Sequence, residues 1–344
     1  CSWRKRVVVL IIRNVYYAYN AECAQRRRNE LLPELPDVLC YVDALNDTVG
    51  GHEIKRVSLR SPFVVRTPEP LDQVVGRTVG PFRRLGKRTV WSLEDDMFLV
   101  VHLMVTGRYH WKGIDAKPTR KTDLLAFHFG HGTLLMTEAG ARKRASLHIV
   151  HGEAALAAFD LSGLEPMDCT EDSFRSRLTS ENHTLKRALT DPRMMSGIGN
   201  AYSDEILHAA RLSPFRLTSK LNDEEWARLF RSMRSVLAAW IDRLAYRGAF
   251  PRRVTAYRTG MTVHGRNGEP CPDCQTKVQR IAYADGEMNY CPRCQLDGAV
   301  LRDRAFSRLL NKDWPKTIEE LEAHAVLSRM GGDSGQGDAG QGDA

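Results

Sequence analysis

Two short cysteine repeats, Cys271-Pro-Asp-Cys274 and Cys291-Pro-Arg-Cys294, constrain this chain more than any other feature. Each C-x2-C step turns the backbone tightly enough to offer two thiolates from one knuckle. Two knuckles sixteen residues apart can close a tetrahedron of soft ligands around one ion. The pattern predicts a zinc ribbon over 260–297, with a single structural ion held by Cys271, Cys274, Cys291 and Cys294. A catalytic zinc would need an open position, which four thiolates do not leave. A redox dithiol pair is the competing reading of the same residues. The remaining cysteines, Cys1, Cys23, Cys40 and Cys169, are isolated in sequence and read as unpaired thiols of a reducing compartment.

Upstream of the ribbon the hydrophobic period changes once. From about 53 to 150, short runs such as "EIKRVSLR", "MFLVVHL", "LLAFHF" and "TLLMT" are separated by Gly-containing turns, which predicts antiparallel strands. From about 170 to 247, apolar residues recur every three or four positions, as in "EEWARLFRSMRSVLAAWIDRLAYRG", which predicts helices. Residues 38–45 read as one amphipathic helix ahead of the strands. Residues 298–330 read as a helical extension broken at "DWP". The polar repeat "GGDSGQGDAGQGDA" over 331–344 reads as a disordered tail.

The net charge of +8 is carried by the middle of the chain. Residues 1–32 hold seven Lys/Arg against two Asp/Glu, and 313–344 hold two against seven, so +5 and −5 cancel. A basic folded body suits a polyanion, although it also aids solubility. No run of 18 apolar residues exists to span a membrane. The apolar stretch at 7–12 is short for a secretory signal and lacks a cleavage site close behind it. A cytoplasmic protein is expected.

Three stretches carry chemistry. "NHTLKRALTDPRMMSGIGNAYSDEILHAARLSP", 182–214, reads as helices at 185–189 and 201–210 joined by a turn at Ser196-Gly197-Ile198-Gly199, with Asn200 as N-cap. N–H groups at such a helix start can hold a phosphate, whereas the bland reading is an αα-hairpin whose glycines permit close packing. "RRLGKRTVW", 83–91, crowds Arg83, Arg84, Lys87 and Arg88 around a glycine turn, which by itself reads as a solvated basic hairpin. "VHLMVTGRYHW", 101–111, sets His102 and Arg108 about a strand end.

Taken in order, "PELPDV" at 33–38, the "GK" hairpin, "HL…TGR", "SGIGNAYSDE" and "HGRNGEPCPDC" resemble the formamidopyrimidine-DNA glycosylase and endonuclease VIII family over roughly 33–297. The resemblance implies an α+β fold. An N-terminal antiparallel β-sandwich flanked by helices would span 33–160, and a helix–two-turn–helix domain 165–250, followed by the zinc ribbon with its four cysteine ligands. It implies a bifunctional DNA glycosylase and AP lyase acting on double-stranded DNA with damaged bases or abasic sites, as a nucleoid-associated monomer. By resemblance, Pro33 is the amine nucleophile, Glu34 the general acid, and Lys87 a phosphate-contacting, electrostatically supporting lysine. Asn200, with Gly197 and Gly199, forms the phosphate clamp, and Arg108 lies among the DNA contacts.

The sequence departs from the family pattern at three places. Leu32 precedes Pro33, and an acylated proline nitrogen is not nucleophilic. The ribbon arginine expected five residues before Cys291 is Gly286, which leaves Arg280 as a candidate phosphate contact. "HLMVTG" puts Val105 where a methionine is expected, with Met104 one residue early. "TEAGARKRASL" leaves Arg142 or Arg144 to fill the space of an extruded base. Residues 1–32 are accordingly expected to be a non-native or removed extension, since a UUG start codon read as internal spells leucine at 32. The competing readings are a non-catalytic damaged-DNA-binding relative with Pro33 masked, and a zinc-ribbon RNA- or ribosome-binding protein that leaves "PELPDV" unexplained.

Overall fold

In the computed structural model the described residues are 32–140, 142–251, 254, 259–283, 286–302 and 314–323. The readings of 1–32 as an extension (Leu32 apart) and of 331–344 as a tail lie outside them, as does much of 298–330. Helix α1, Leu35–Val49, is longer than the predicted 38–45. Pro36 falls in its first turn, where the missing N–H would have had no helical partner, so "PELPD" opens the helix instead of breaking it. The Asp37 carboxylate accepts the backbone N–H of Glu34 at 3.0 Å and fixes that opening.

Eight strands follow in two antiparallel sheets. One has the order β1 (Arg56–Leu59), β6 (Asp123–Phe129), β7 (Gly132–Glu138), β5 (Gly107–Lys112). The other runs β2 (Val79–Leu85), β3 (Arg88–Leu93), β4 (Met97–His102), β8 (Ser146–His151). Between them lies a core containing Trp91, Leu99, Phe127, Leu134 and Met136, with the Trp91 and Phe127 rings 4.7 Å apart. Tyr41 of α1 meets Tyr109 edge-on at 5.2 Å, so the helix closes one margin of the sandwich. Strand β4 shows why "MFLVVHL" does not alternate. Met97, Leu99 and Val101 enter the main core, while Phe98 and Val100 enter a second cluster with Val90, Val150 and Leu156. A strand buried on both faces has no polar side to display.

A short helix, α2 (Glu153–Ala157), leads into the helical lobe: α3 (Glu171–Thr179), α4 (Leu185–Thr190), α5 (Asn200–Ala209) and α6 (Asp223–Leu244). Its core includes Phe174, Leu189, Tyr202, Ile206, Trp226, Met233 and Trp240. Helix α6 starts on a reciprocal cap, with Glu225 N–H on the Asn222 side chain at 2.9 Å and Asn222 N–H on the Glu225 carboxylate at 3.0 Å. The ribbon pairs β9 (Gln279–Tyr283) with β10 (Gly286–Tyr290) and ends in α7 (Pro292–Leu296). Residues 314–323 return to it through an Ala299–Thr317 bridge and an Ile318 N–H bond to Gly298 O at 2.9 Å. No helix among the described residues is long and apolar enough to cross a membrane.

Candidate active site and cysteine cluster

The start of α5 is capped by the other lobe. Gly199, not Asn200, is the N-cap, and no side chain of its own segment caps the helix. Instead the Glu34 carboxylate, only 2% exposed, accepts the backbone N–H groups of Gly199 at 2.7 Å, Ala201 at 2.9 Å and Tyr202 at 3.2 Å. A carboxylate at a helix N-terminus is favoured by the free N–H groups and the dipole together. This corrects the expectation that these amides await a phosphate: the anion they hold is Glu34.

Glycine at 197 and 199 is required by that approach. Gly197 has φ +80, its carbonyl accepts Leu35 N–H at 3.0 Å, and a Cβ there would stand 2.8 Å from Leu35 Cβ. A Cβ at Gly199 would lie 2.5 Å from Glu34 Oε1 and 2.6 Å from Lys87 Nζ. Lys87 is the second residue of the β2–β3 turn after Gly86, whose φ of +60 suits a two-residue hairpin. Burial lowers the Lys87 pKa from its ordinary 10.5, Glu34 opposes the shift and Lys186 adds to it. Pro33 is buried beside Glu34. The structure therefore brings together Pro33, Glu34, Lys87, Gly197, Gly199 and Asn200.

The predicted arginines divide. The Arg108 guanidinium turns back on the carbonyls of Val105 at 3.2 Å and Gly107 at 2.5 Å. Arg142 and Arg144 are exposed on the loop after β7. That loop is fixed by Glu138, which accepts Arg144 N–H at 2.9 Å, and by Gly140 N–H on Thr106 Oγ1 at 2.9 Å. Met104, on the adjoining loop, is non-glycine with φ +52, and only partly buried. Arg280 faces inward, 4% exposed and 3.4 Å from the Glu287 carboxylate, so it does not stand in for an exposed cation. At Gly286 an added Cβ would lie 2.5 Å from Asn200 Nδ2. The Asn200 amide thus fills the ground beside the ribbon where a longer residue would begin.

Several polar residues of the joint escaped the sequence reading. Lys186 Nζ donates to Asn200 O at 2.7 Å, Ser203 Oγ at 2.8 Å and Asp204 Oδ1 at 2.6 Å, all but buried. Asp204 Oδ2 also pairs with His264 Nδ1 at 2.7 Å and accepts Asn289 N–H at 3.0 Å. Burial would raise the Asp204 pKa, but Lys186 and His264 hold it below its usual range. Glu205 accepts the N–H groups of Thr262, Val263 and His264 at 2.7, 2.9 and 2.9 Å. On the opposite side Arg84 forms an ion pair with Glu165, which also accepts Ser196 Oγ at 2.6 Å. The available signal was "SDEILH", three ionisable groups inside a segment otherwise fit for burial.

The four ribbon thiols converge. Cys271 Sγ lies 3.9 Å from Cys294 Sγ, and Cys274 Sγ 3.4 Å from Cys291 Sγ. A tetrahedron with bonds of about 2.3 Å has edges of about 3.8 Å, and both of these pairs lie near that length. Burial pushes the Cys291 thiol up to about 12, and Cys294 is raised by the same cause. A cation placed among the sulfurs would offset that cost. His208 joins the group: its ring nitrogen and the sulfurs of Cys271, Cys291 and Cys294 lie within 4.8 Å of one another.

The fold and site thus define a two-lobed protein whose carboxylate from a β-sandwich is bound by a helix of the second lobe, with a thiol ribbon behind it. Residues 32–146 match the formamidopyrimidine-DNA glycosylase N-terminal domain, and 163–246 match the formamidopyrimidine-DNA glycosylase H2TH domain. A formamidopyrimidine-DNA glycosylase of Desulforamulus reducens is 32% identical over 279 residues, covering 77% of this chain and 99% of that protein. A Lactococcus lactis FPG mutant in complex with a Fapy-dG containing DNA superposes with a TM-score of 0.68 at 27% identity, covering 77% of this chain and 100% of that one. The Lactococcus lactis Fpg complex with an abasic site containing DNA gives 0.68 and 27%, over 76% and 99%. The chain belongs to the formamidopyrimidine-DNA glycosylase family.

Proposed function

We propose that this protein excises damaged bases from double-stranded DNA and then cleaves the strand as an AP lyase. The observation that carries the reading is the Glu34 carboxylate held by three amides of α5, beside Pro33 and Lys87. The DNA-bound relatives support the substrate class. In this reading Pro33 attacks C1′ of the damaged nucleotide with its secondary amine, and the base leaves. Glu34 protonates the sugar-ring oxygen as the ring opens, which yields an iminium. A C2′ proton is then lost to solvent, the C2′–H electron pair flows into the iminium to give an enamine, and collapse of the enamine breaks the C3′–O bond so that the 3′ phosphate leaves. An α-amino group titrates near 8 in general, so a useful fraction is unprotonated at neutral pH. Lys87 supplies positive charge next to the reacting sugar and its phosphates. Asn200 positions a phosphate through its side chain, since the neighbouring amides are taken by Glu34. Arg142 or Arg144 reaches into the duplex where the base is extruded.

The same reading assigns one structural zinc ion to Cys271, Cys274, Cys291 and Cys294, where it would hold the ribbon in place. The chemistry requires a free amine at Pro33, so the working protein begins there. Borohydride trapping against duplexes carrying oxidised purines, oxidised pyrimidines or an abasic site tests this. Protein starting at Pro33 should give a covalent adduct, and protein with Leu32 fused ahead of it should bind DNA and give none. A trapped adduct from the Leu32-extended protein would remove Pro33 as nucleophile.

A further inference from the structure

We infer that His208 is a positioning residue of the metal centre, donating a hydrogen bond from Nε2 to the Cys271 thiolate and so tying the ribbon's ion to helix α5. The inference rests on the zinc reading above. His208 lies in the last turn of α5, is 3% exposed, and has Nε2 3.3 Å from Cys271 Sγ. The neighbours of that nitrogen decide its state. A metal-bound thiolate accepts hydrogen bonds and cannot donate one, and the Asp273 carboxylate, 4.0 Å away, is also an acceptor. Nε2 must then carry the hydrogen, and a nitrogen that carries hydrogen is not a ligand. The Cys271–Cys294 and Cys274–Cys291 pairs are each spaced like one edge of a zinc tetrahedron, and an ion held by those four thiolates has no vertex left for the histidine.

A zinc ion held by four thiolates carries two net negative charges, and a donor pointed at one sulfur lowers the cost of gathering them. The source of the donor matters here. It comes from outside the ribbon, on the helix whose first amides hold Glu34, with His208 roughly seven residues and about 10 Å along the helix from Ala201. With Asp204 and Glu205 on the same helix gripping 262–264 and 289, loading the ion fixes both the ribbon and α5.

Chelator competition on the full zinc-loaded chain, at one fixed pH, measures the effect without reference to DNA. His208→Phe keeps the ring volume and removes the donor, and should weaken zinc binding about 10- to 100-fold. His208→Gln, which retains an N–H, should recover part of that loss. Cobalt-substituted protein should show the absorption of four sulfur ligands in wild type and in both variants. Should the variants fold poorly, nitrogen NMR of histidine-labelled wild type decides the matter, with a protonated Nε2 expected at His208. A cobalt spectrum of three sulfurs and one nitrogen, or an unprotonated Nε2, makes His208 a ligand and overturns the inference. Equal zinc affinity in wild type and His208→Phe also overturns it. Purified protein without zinc overturns the zinc reading itself, and the inference with it.

Discussion

At the scale of single residues, Glu34 has two duties that mutation can separate. Its carboxylate is a proposed acid and also the cap of α5. Glu34→Ala should abolish excision and, by stranding three helix-start amides, cost about 1–3 kcal/mol of stability. Glu34→Gln keeps an acceptor and should recover stability in denaturant titrations without recovering excision. Gly199→Ala tests the same contact from the other side. Its φ of −134 suits any residue, but the added methyl collides with Glu34 and Lys87. Displacing reactive groups by about 1 Å can cost roughly 100-fold in rate, which single-turnover excision would register while circular dichroism shows α5 intact. Lys87 gives a pH signature. Its folded pKa is below 10.5, so the unfolded chain binds the proton more tightly. Between the lowered value and 10.5 the wild type should gain stability, relative to Lys87→Met, as pH rises. A melting-temperature difference that stays flat across that range would contradict the lowered Lys87 pKa.

Helix α5 is the element on which the molecule converges. Glu34 holds its start, Lys186 and His264 flank its Asp204, and Glu205 grips the entrance to the ribbon. Removing one member of a buried ion pair is costlier than never having had the pair, so Lys186→Met should destabilise the helical lobe by roughly 3–5 kcal/mol in chemical denaturation. A change below about 1 kcal/mol would show that Asp204 finds sufficient partners without it. The Asp204 contribution should be lost as pH falls through its depressed folded value, below the ordinary 3.8. Sequence made this element legible only in part. The glycine turn and the helix after it follow from backbone freedom and apolar period. The cap does not, because Glu34 is 165 residues away and local rules look for a cap next door. Local rules therefore point to Asn200 instead. For the same reason Lys186, Asp204, Glu205 and His208 carry no local signal, as partners distant in sequence are what make them buriable. Composition presents Arg280 as an exposed cation, whereas the strand register turns it toward Glu287.

For the molecule as a whole, two separate cores and a thiol-bound ribbon predict stepwise loss of structure. Chelation should release about one metal ion per chain and expose the amides of 262–290 to hydrogen exchange, while β2–β4 stay protected. Cys271→Ser should do the same without chelator. Protection that falls equally in the sandwich and the ribbon would mean that the lobes unfold as one. The sandwich was readable because strand runs and turns are local. The way the lobes meet was not, since it depends on single contacts such as Arg84 with Glu165 and Tyr246 Oη with Asp47 at 2.7 Å.

The helix-start grip on Glu34 divides the candidate site between the two lobes. Neither half of the chain contains a working site: the first supplies the carboxylate and the second supplies the amides that aim it. A nascent or damaged molecule with only one half folded has nothing in position to cut with. If the proposed chemistry, which ends in a severed DNA strand, is this protein's activity, correct assembly is its own safety catch, released only when the two halves have met.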